Sequence, residues 1–164
     1  MSEKIKNTPA GLDDLPPNTV AIAQSALDTL RQSNSPLVGF VQLLGVQFDS
    51  YGDGRCQSSL DVRPHLLNPL GIAHGAVTFA LADTSCGLAA ITALTRPNVV
   101  TQDMQIRYHG PVRPGRVTCT AEVVHKGQRT ITTAARIVQG DNLVATVSGT
   151  FAILSQDERE KITR

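Results

Sequence analysis

At 164 residues the chain has the length of one domain, large enough to bury a sizeable core. Fifteen Lys and Arg stand against 14 Asp and Glu, aromatics make up 4%, and Trp is missing, which removes the basic field and the stacking platforms that nucleic-acid binding uses. The three cysteines, Cys56, Cys86 and Cys119, lie far apart without C-x-x-C spacing. They argue against a disulfide framework or zinc site and for a reducing, cytoplasmic setting.

Residues 1–16 are polar and run into Pro16-Pro17, so a flexible arm is expected there, and they lack the apolar run of a secretory signal. Val20, Ala23, Leu27 and Leu30 recur at helical spacing and predict an amphipathic helix over about 18–32. Ser35-Pro36 reads as the cap and first turn of a short helix that stops at Gly45. Residues 17–45 are thus expected to be helices packing on a main domain at 46–155, with a polar tail over 156–164.

The main domain opens with strand-like segments at 46–51 and 56–63 around Gly52-Asp53-Gly54, a good hairpin turn. The most telling stretch follows. A polar loop from Asn68 ends at His74-Gly75, and an apolar segment then runs on to about Ala93 with Asp83 as its single charged residue. An unpaired carboxylate there is costly, and chains tend to keep such a group where it serves chemistry. A helix apolar nearly all round belongs inside something rather than on a surface. It is long enough for a membrane span, but its small and hydroxylated residues and its central Asp83 argue against one.

The remainder alternates with period two. Val100, Met104, Ile106 and Tyr108 share one parity, and Thr101, Asp103, Gln105 and Arg107 the other, which places Thr101 on the polar face. Val117, Cys119, Ala121 and Val123 repeat the pattern, and strands at 131–138 and 143–154 join through Gly140-Asp141-Asn142. The order is two strands, a long helix, then four strands: an α+β chain with an antiparallel sheet curved around its central helix.

That order, with Asn68…Gly71…His74-Gly75, then Ala82-Asp83-Thr84, and later Asp103-Met104…Tyr108, resembles the hotdog-fold acyl-CoA thioesterases of the phenylacetate-degradation (PaaI-like) type. Ala76 stands where the family usually shows a second Gly. The resemblance implies that the Gly75 amide polarises the thioester carbonyl and that Asp83 acts as base or nucleophile. Asn68 would stand near the carbonyl or the water, His74 near the loop or the thioester sulfur, and Thr101 would help place water or carboxylate. It also implies that the turn at His125-Lys126-Gly127-Gln128-Arg129 borders coenzyme A, with Lys126, Arg129 and Arg113 as candidate phosphate partners. No metal and no cofactor are implied. The expected assembly is a homodimer as minimal unit, built into a homotetramer.

Two of these residues can be weighed without the family. Helix N-termini carry free N–H groups and partial positive charge, which suit an oxyanion at Gly75. Asp83 lies eight residues further on, about 12 Å along a helix, so one reacting centre cannot touch both groups of one chain. If both are catalytic, they come from different subunits. Two other readings fit the fold: a module that binds acyl-CoA without turning it over, and a hotdog dehydratase or hydratase. The intact Asp83 and Asn68 speak against the first, and the lack of a suitably placed Asp/His pair against the second. The acyl pocket is expected to draw on Phe40 and Leu43.

Overall fold

The computed structural model describes residues 36–95 and 98–162. The arm and the helix expected over 18–32 lie outside the described residues. Helix α1 (Pro36–Leu44) forms where the Ser35-Pro36 pair predicts it, and the chain leaves it through Gly45 at φ +73°, a left-handed value that suits Gly. Strands β1 (Gln47–Gly52) and β2 (Arg55–Val62) make the predicted hairpin. Its two turn residues, Asp53 at φ +45° and Gly54 at φ +76°, both have the positive φ of a tight hairpin turn.

The central helix, α2, spans Gly75–Thr92, and β3 (Val99–Tyr108), β4 (Gly115–Lys126), β5 (Thr130–Gln139) and β6 (Asn142–Ile153) follow. The six strands form one sheet in the order β1-β2-β4-β5-β6-β3, antiparallel throughout. The sheet curls around α2, which packs against every strand. Leu81, Ala82, Cys86, Ala89 and Ala90 of the helix are fully buried against Leu60, Val117, Cys119, Ile131 and Ile137 of the sheet, in one continuous core. Cutting Leu81 to Ala in such packing costs about 2–5 kcal/mol. By length and composition α2 could cross a membrane; 56% of it is buried inside this fold.

Polar groups on the buried side of the helix are paired. Ser85 donates to the Leu81 carbonyl at 2.6 Å, and Ser58 of β2 meets the Ser85 hydroxyl at 2.5 Å. A helix lined by hydroxyls thus satisfies them internally and leaves no orphaned donor there.

The pairing of β3 with β6 departs from simple alternation. Thr101 lies opposite Phe151 but Asp103 lies opposite Thr150, so Gln102 is an extra residue bulged out of the ladder. The bulge shifts the phase of the strand. Thr101 now shares the helix-facing side with Met104, Ile106 and Tyr108, whose partners Gly149, Val147 and Ala145 line that face with Phe151. Val100 turns to the outer side and is 40% exposed. The expected placement of Thr101 on the polar face is therefore wrong, and the placement of Val100 on the inner face with it.

The expected polar tail carries a helix, α3 (Gln156–Ile162). Ser155 and Glu158 cap it reciprocally: the Ser155 N–H donates to Glu158 Oε2 at 2.8 Å, and the Glu158 N–H donates to Ser155 Oγ at 3.3 Å.

Candidate active site

The loop before α2 is held by its own backbone. Leu67 bridges Ala73, the Asn68 N–H donates to the Ile72 carbonyl at 2.8 Å, and the Gly71 N–H donates to the Asn68 carbonyl at 3.0 Å. Gly71 takes φ +73° to close the turn. The Asn68 side chain accepts from the Leu70 N–H at 2.9 Å through Oδ1, an Asx turn. Its carboxamide orientation is thereby fixed, with the NH₂ donors on the side away from the turn.

His74 is the N-cap of α2, with extended backbone at φ −60°, ψ 138°. Its Nδ1 accepts from the Ala76 N–H at 3.1 Å, so the neutral ring carries its proton on Nε2. Val77 N–H is taken up by the His74 carbonyl at 2.9 Å. Of the first three helical amides, only that of Gly75 is left without a partner among the described residues. Where a helix end gathers partial positive charge, one free N–H is available to an incoming carbonyl oxygen.

Asp83 projects from the middle of α2 at partial burial, and Thr101 of β3 donates to its Oδ1 at 2.8 Å. The alternative partners on the helix itself, Thr84 and Ser85, do not hold it; Ser85 is engaged with Leu81 and Ser58. The bulge at Gln102 brings this contact about, because without it the Thr101 hydroxyl would face away from the helix.

Tyr108, at the far end of β3, is a contact that sequence reasoning missed. Its hydroxyl donates to the Gly75 carbonyl at 2.9 Å, where Thr78 also donates at 2.9 Å. A Cβ on Gly75 would stand 3.2 Å from that hydroxyl, a tight contact that Gly avoids. Its helix-facing parity is visible in the sequence; nothing there ties it to Gly75.

One chain therefore offers two separate groups of residues. Asn68, His74 and Gly75 gather at the helix N-terminus, with Asp83 and Thr101 about 12 Å along it. The cations are divided as well. Lys126 caps the end of α2 by donating to the Ala93 carbonyl at 2.7 Å, and Arg129, across the same turn, pairs with Glu158 at 3.3 Å on the surface. Arg113 sits at the other end of β4, roughly 35 Å away at about 3.3 Å per residue. It borders a shallow cleft of about 340 Å³ with His109, Gln139 and Asn142. Arg113 and the Lys126 turn of one chain are too far apart to hold one nucleotide together.

Phe40 and Leu43 stand 46% and 71% exposed. Among the described residues no group of His, Cys, Asp or Glu has the geometry to hold a metal. The three thiols are free and buried, and burial pushes Cys86 up to about 11 and Cys119 to about 12.

A six-stranded antiparallel sheet curled around one helix, with a His-Gly helix start, is the hotdog architecture. The description "Thioesterase superfamily" attaches to the family whose model matches residues 70–146. Among solved structures, a conserved protein of Pseudomonas aeruginosa is 38% identical over 70% of this chain and 93% of its own, with a TM-score of 0.68. A mutant of the phenylacetic acid degradation protein PaaI from Thermus thermophilus is 32% identical over 71% and 99%, with a TM-score of 0.67. A Haemophilus influenzae protein named provisionally as an esterase is 32% identical over 89 residues, 54% of this chain and 64% of that relative, so the chain spans under two thirds of its length. The chain belongs to the thioesterase superfamily, as a PaaI-like hotdog protein.

Proposed function

We propose that the protein hydrolyses acyl-CoA thioesters to free acid and coenzyme A in the cytoplasm, in sites shared between two subunits. The observation that carries this reading is the carboxylate of Asp83, set on an otherwise uncharged helix and oriented by Thr101. An oriented, partly buried carboxylate is what a general base requires. A module that only binds acyl-CoA has no use for it.

The Gly75 N–H would polarise the thioester carbonyl, with the Asn68 carboxamide donating beside it and His74 holding the amide's helix in place. Asp83 of the partner subunit would take a proton from water as the water oxygen bonds to the carbonyl carbon. The C–S bond then breaks, and the sulfur leaves as thiolate and takes up the proton. Direct attack by Asp83, followed by hydrolysis of the anhydride, uses the same placement. Thiolate is a good leaving group, which keeps the demand on the site modest.

The dimer is part of the proposal. Among the described residues β3 pairs with β6 alone and ends the sheet, and the neighbouring helix face carries Ala76, Phe79, Ala80 and Asp83. Two such edges related by a two-fold axis would set the helices side by side and bring Gly75 of one protomer to Asp83 of the other. A tetramer would follow from pairing of dimers. Lys126 and Arg129 would take the coenzyme A phosphates at the β4–β5 turn, exchanging a carbonyl and an exposed ion pair for a stronger anion.

The test is thiol release across aromatic and straight-chain acyl-CoAs, by the native protein and by Asp83→Asn. Asp83→Asn keeps the size of the side chain and removes its basicity. Hydrolysis should fall by roughly 10²–10⁴-fold, the usual worth of a positioned base. A folded Asp83→Asn protein with more than about half the native rate would sink the assignment.

A further inference from the structure

We infer that Tyr108 is a positioning residue for the Gly75 amide: it clamps the first peptide of α2 so that the free N–H of Gly75 keeps one direction. The inference rests on the reading of Gly75 as the oxyanion donor. Glycine has no Cβ and is the least restrained residue in the chain, so an N–H that must be aimed is poorly served by Gly alone. Here the peptide between Gly75 and Ala76 is gripped at both ends. Its carbonyl accepts from the Tyr108 hydroxyl and from Thr78 Oγ1, each at 2.9 Å, and its N–H donates to His74 Nδ1 at 3.1 Å. The N–H of Gly75 lies in the preceding peptide, whose His74 carbonyl accepts from the Val77 N–H at 2.9 Å. With the planes on both sides of Gly75 held, its φ and ψ lose their freedom and the N–H keeps its direction.

The dependence runs both ways. A Cβ at position 75 would lie 3.2 Å from the Tyr108 hydroxyl and 3.4 Å from Cζ, so a side chain there would push the tyrosine back by a few tenths of an ångström, enough to lengthen its hydrogen bond. Gly in turn needs the tyrosine to replace the restraint that a Cβ would supply. Tyr108 spans the gap because it shares the helix-facing side of β3 with Met104 and Ile106, and β3 runs along α2. The same strand thus aims both halves of the site: Thr101 holds Asp83 and Tyr108 holds Gly75. Tyr108 is 53% exposed and touches no reacting atom in this reading; it acts through the peptide.

Tyr108→Phe removes one hydroxyl and keeps the ring. Two readouts separate the clamp from the chemistry. Amide hydrogen exchange at Ala76, measured by NMR without substrate, should speed up in Tyr108→Phe, because one end of the peptide is released. kcat should fall on the order of tenfold with KM nearly unchanged. Loss of a whole oxyanion donor costs about 10²–10³-fold, and a misaimed one less. Gly75→Ala should hurt kcat more in the native background than in the Tyr108→Phe background, since the Cβ no longer meets a hydroxyl.

Unchanged exchange at Ala76 overturns the clamp. Faster exchange with native kcat overturns the positioning role and leaves the proposed hydrolysis standing. Equal cost of Gly75→Ala in both backgrounds also counts against it. A native protein that releases no thiol from any acyl-CoA overturns the proposed function first, and this inference with it.

Discussion

The Thr101 hydroxyl and the Asp83 carboxylate meet at 2.8 Å across the seam between β3 and α2. The donor lies at the start of an edge strand and the acceptor in the middle of the central helix. Each supplies what the other lacks. The carboxylate gains a charge-assisted hydrogen bond that fixes one of its oxygens, and the other oxygen stays open to water.

The first prediction follows from that pair. Thr101→Ser keeps the hydroxyl and should retain most activity, while Thr101→Val keeps the shape and loses the donor. A hydrogen bond to a charged group contributes about 1.5–3 kcal/mol. If much of it serves to orient Asp83, kcat should drop by roughly tenfold or more in Thr101→Val. Equal rates for the two variants would show that the hydroxyl plays no part in turnover.

Much of this is legible in the sequence, for physical reasons. The central helix, the two tight hairpins at Asp53-Gly54 and Gly140-Asp141, and the four later strands follow from patterns local to a few residues. The Gln102 bulge is not, because it arises where β3 is matched against β6, about fifty residues away, and parity counting cannot register it. The Tyr108–Gly75 contact is hidden for the same reason. Helix α3 is a different case: Ser155-Gln156-Asp157-Glu158 is a capping box in plain view, masked by a run of charges that reads as a solvated tail. Asn68 makes a turn through its Oδ1, which the structure shows, and keeps its NH₂ available as the site donor that the resemblance implies.

His74 supplies the second prediction. As an N-cap it holds the Ala76 N–H, and His74→Ser or His74→Asn can replace that acceptor while His74→Ala cannot. Loss of the cap should cost about 1 kcal/mol, which for a chain of this size lowers Tm by roughly 2–4 °C. Scanning calorimetry should therefore place His74→Ser near the native protein and His74→Ala below it. Turnover that survives in His74→Ser assigns the ring to capping. Turnover lost in both, with Tm kept in the first, assigns it to the chemistry as well.

The buried thiols give a prediction in pH. Desolvation by burial, the largest cause, raises Cys86 from about 9 to about 11 and Cys119 to about 12, and Cys56 higher still. A raised folded-state value means the native state favours the thiol form. Its stabilising effect is complete below the ordinary value and is lost as pH climbs through the folded one. Stability should be flat with respect to these groups up to about pH 9 and decline between there and about pH 12. At about pH 8, below the ordinary thiol value, a disulfide reagent should find none of Cys56, Cys86 and Cys119 reactive until denaturant is added; rapid labelling of the native protein would contradict this burial.

The last prediction addresses shared sites. Gly75 and Asp83 of one chain are about 12 Å apart along α2, so each proposed site takes one from each subunit. Gly75→Pro removes the N–H that would meet the carbonyl oxygen. Proline suits the first turn of a helix, and His74 already has the extended backbone that a residue before proline prefers. Its Cβ would come 3.2 Å from the Tyr108 hydroxyl, a small clash at one side chain rather than at backbone. The Gly75→Pro and Asp83→Asn proteins should each be nearly inactive. Unfolded and refolded together, random pairing should give about half the dimers as hybrids, each with one intact site and one doubly damaged one. Recovered hydrolysis near a quarter of the native rate per dimer is the expected result. Hybrids shown to form by differential tagging, yet without activity, would place both groups in the same subunit's chemistry or in none.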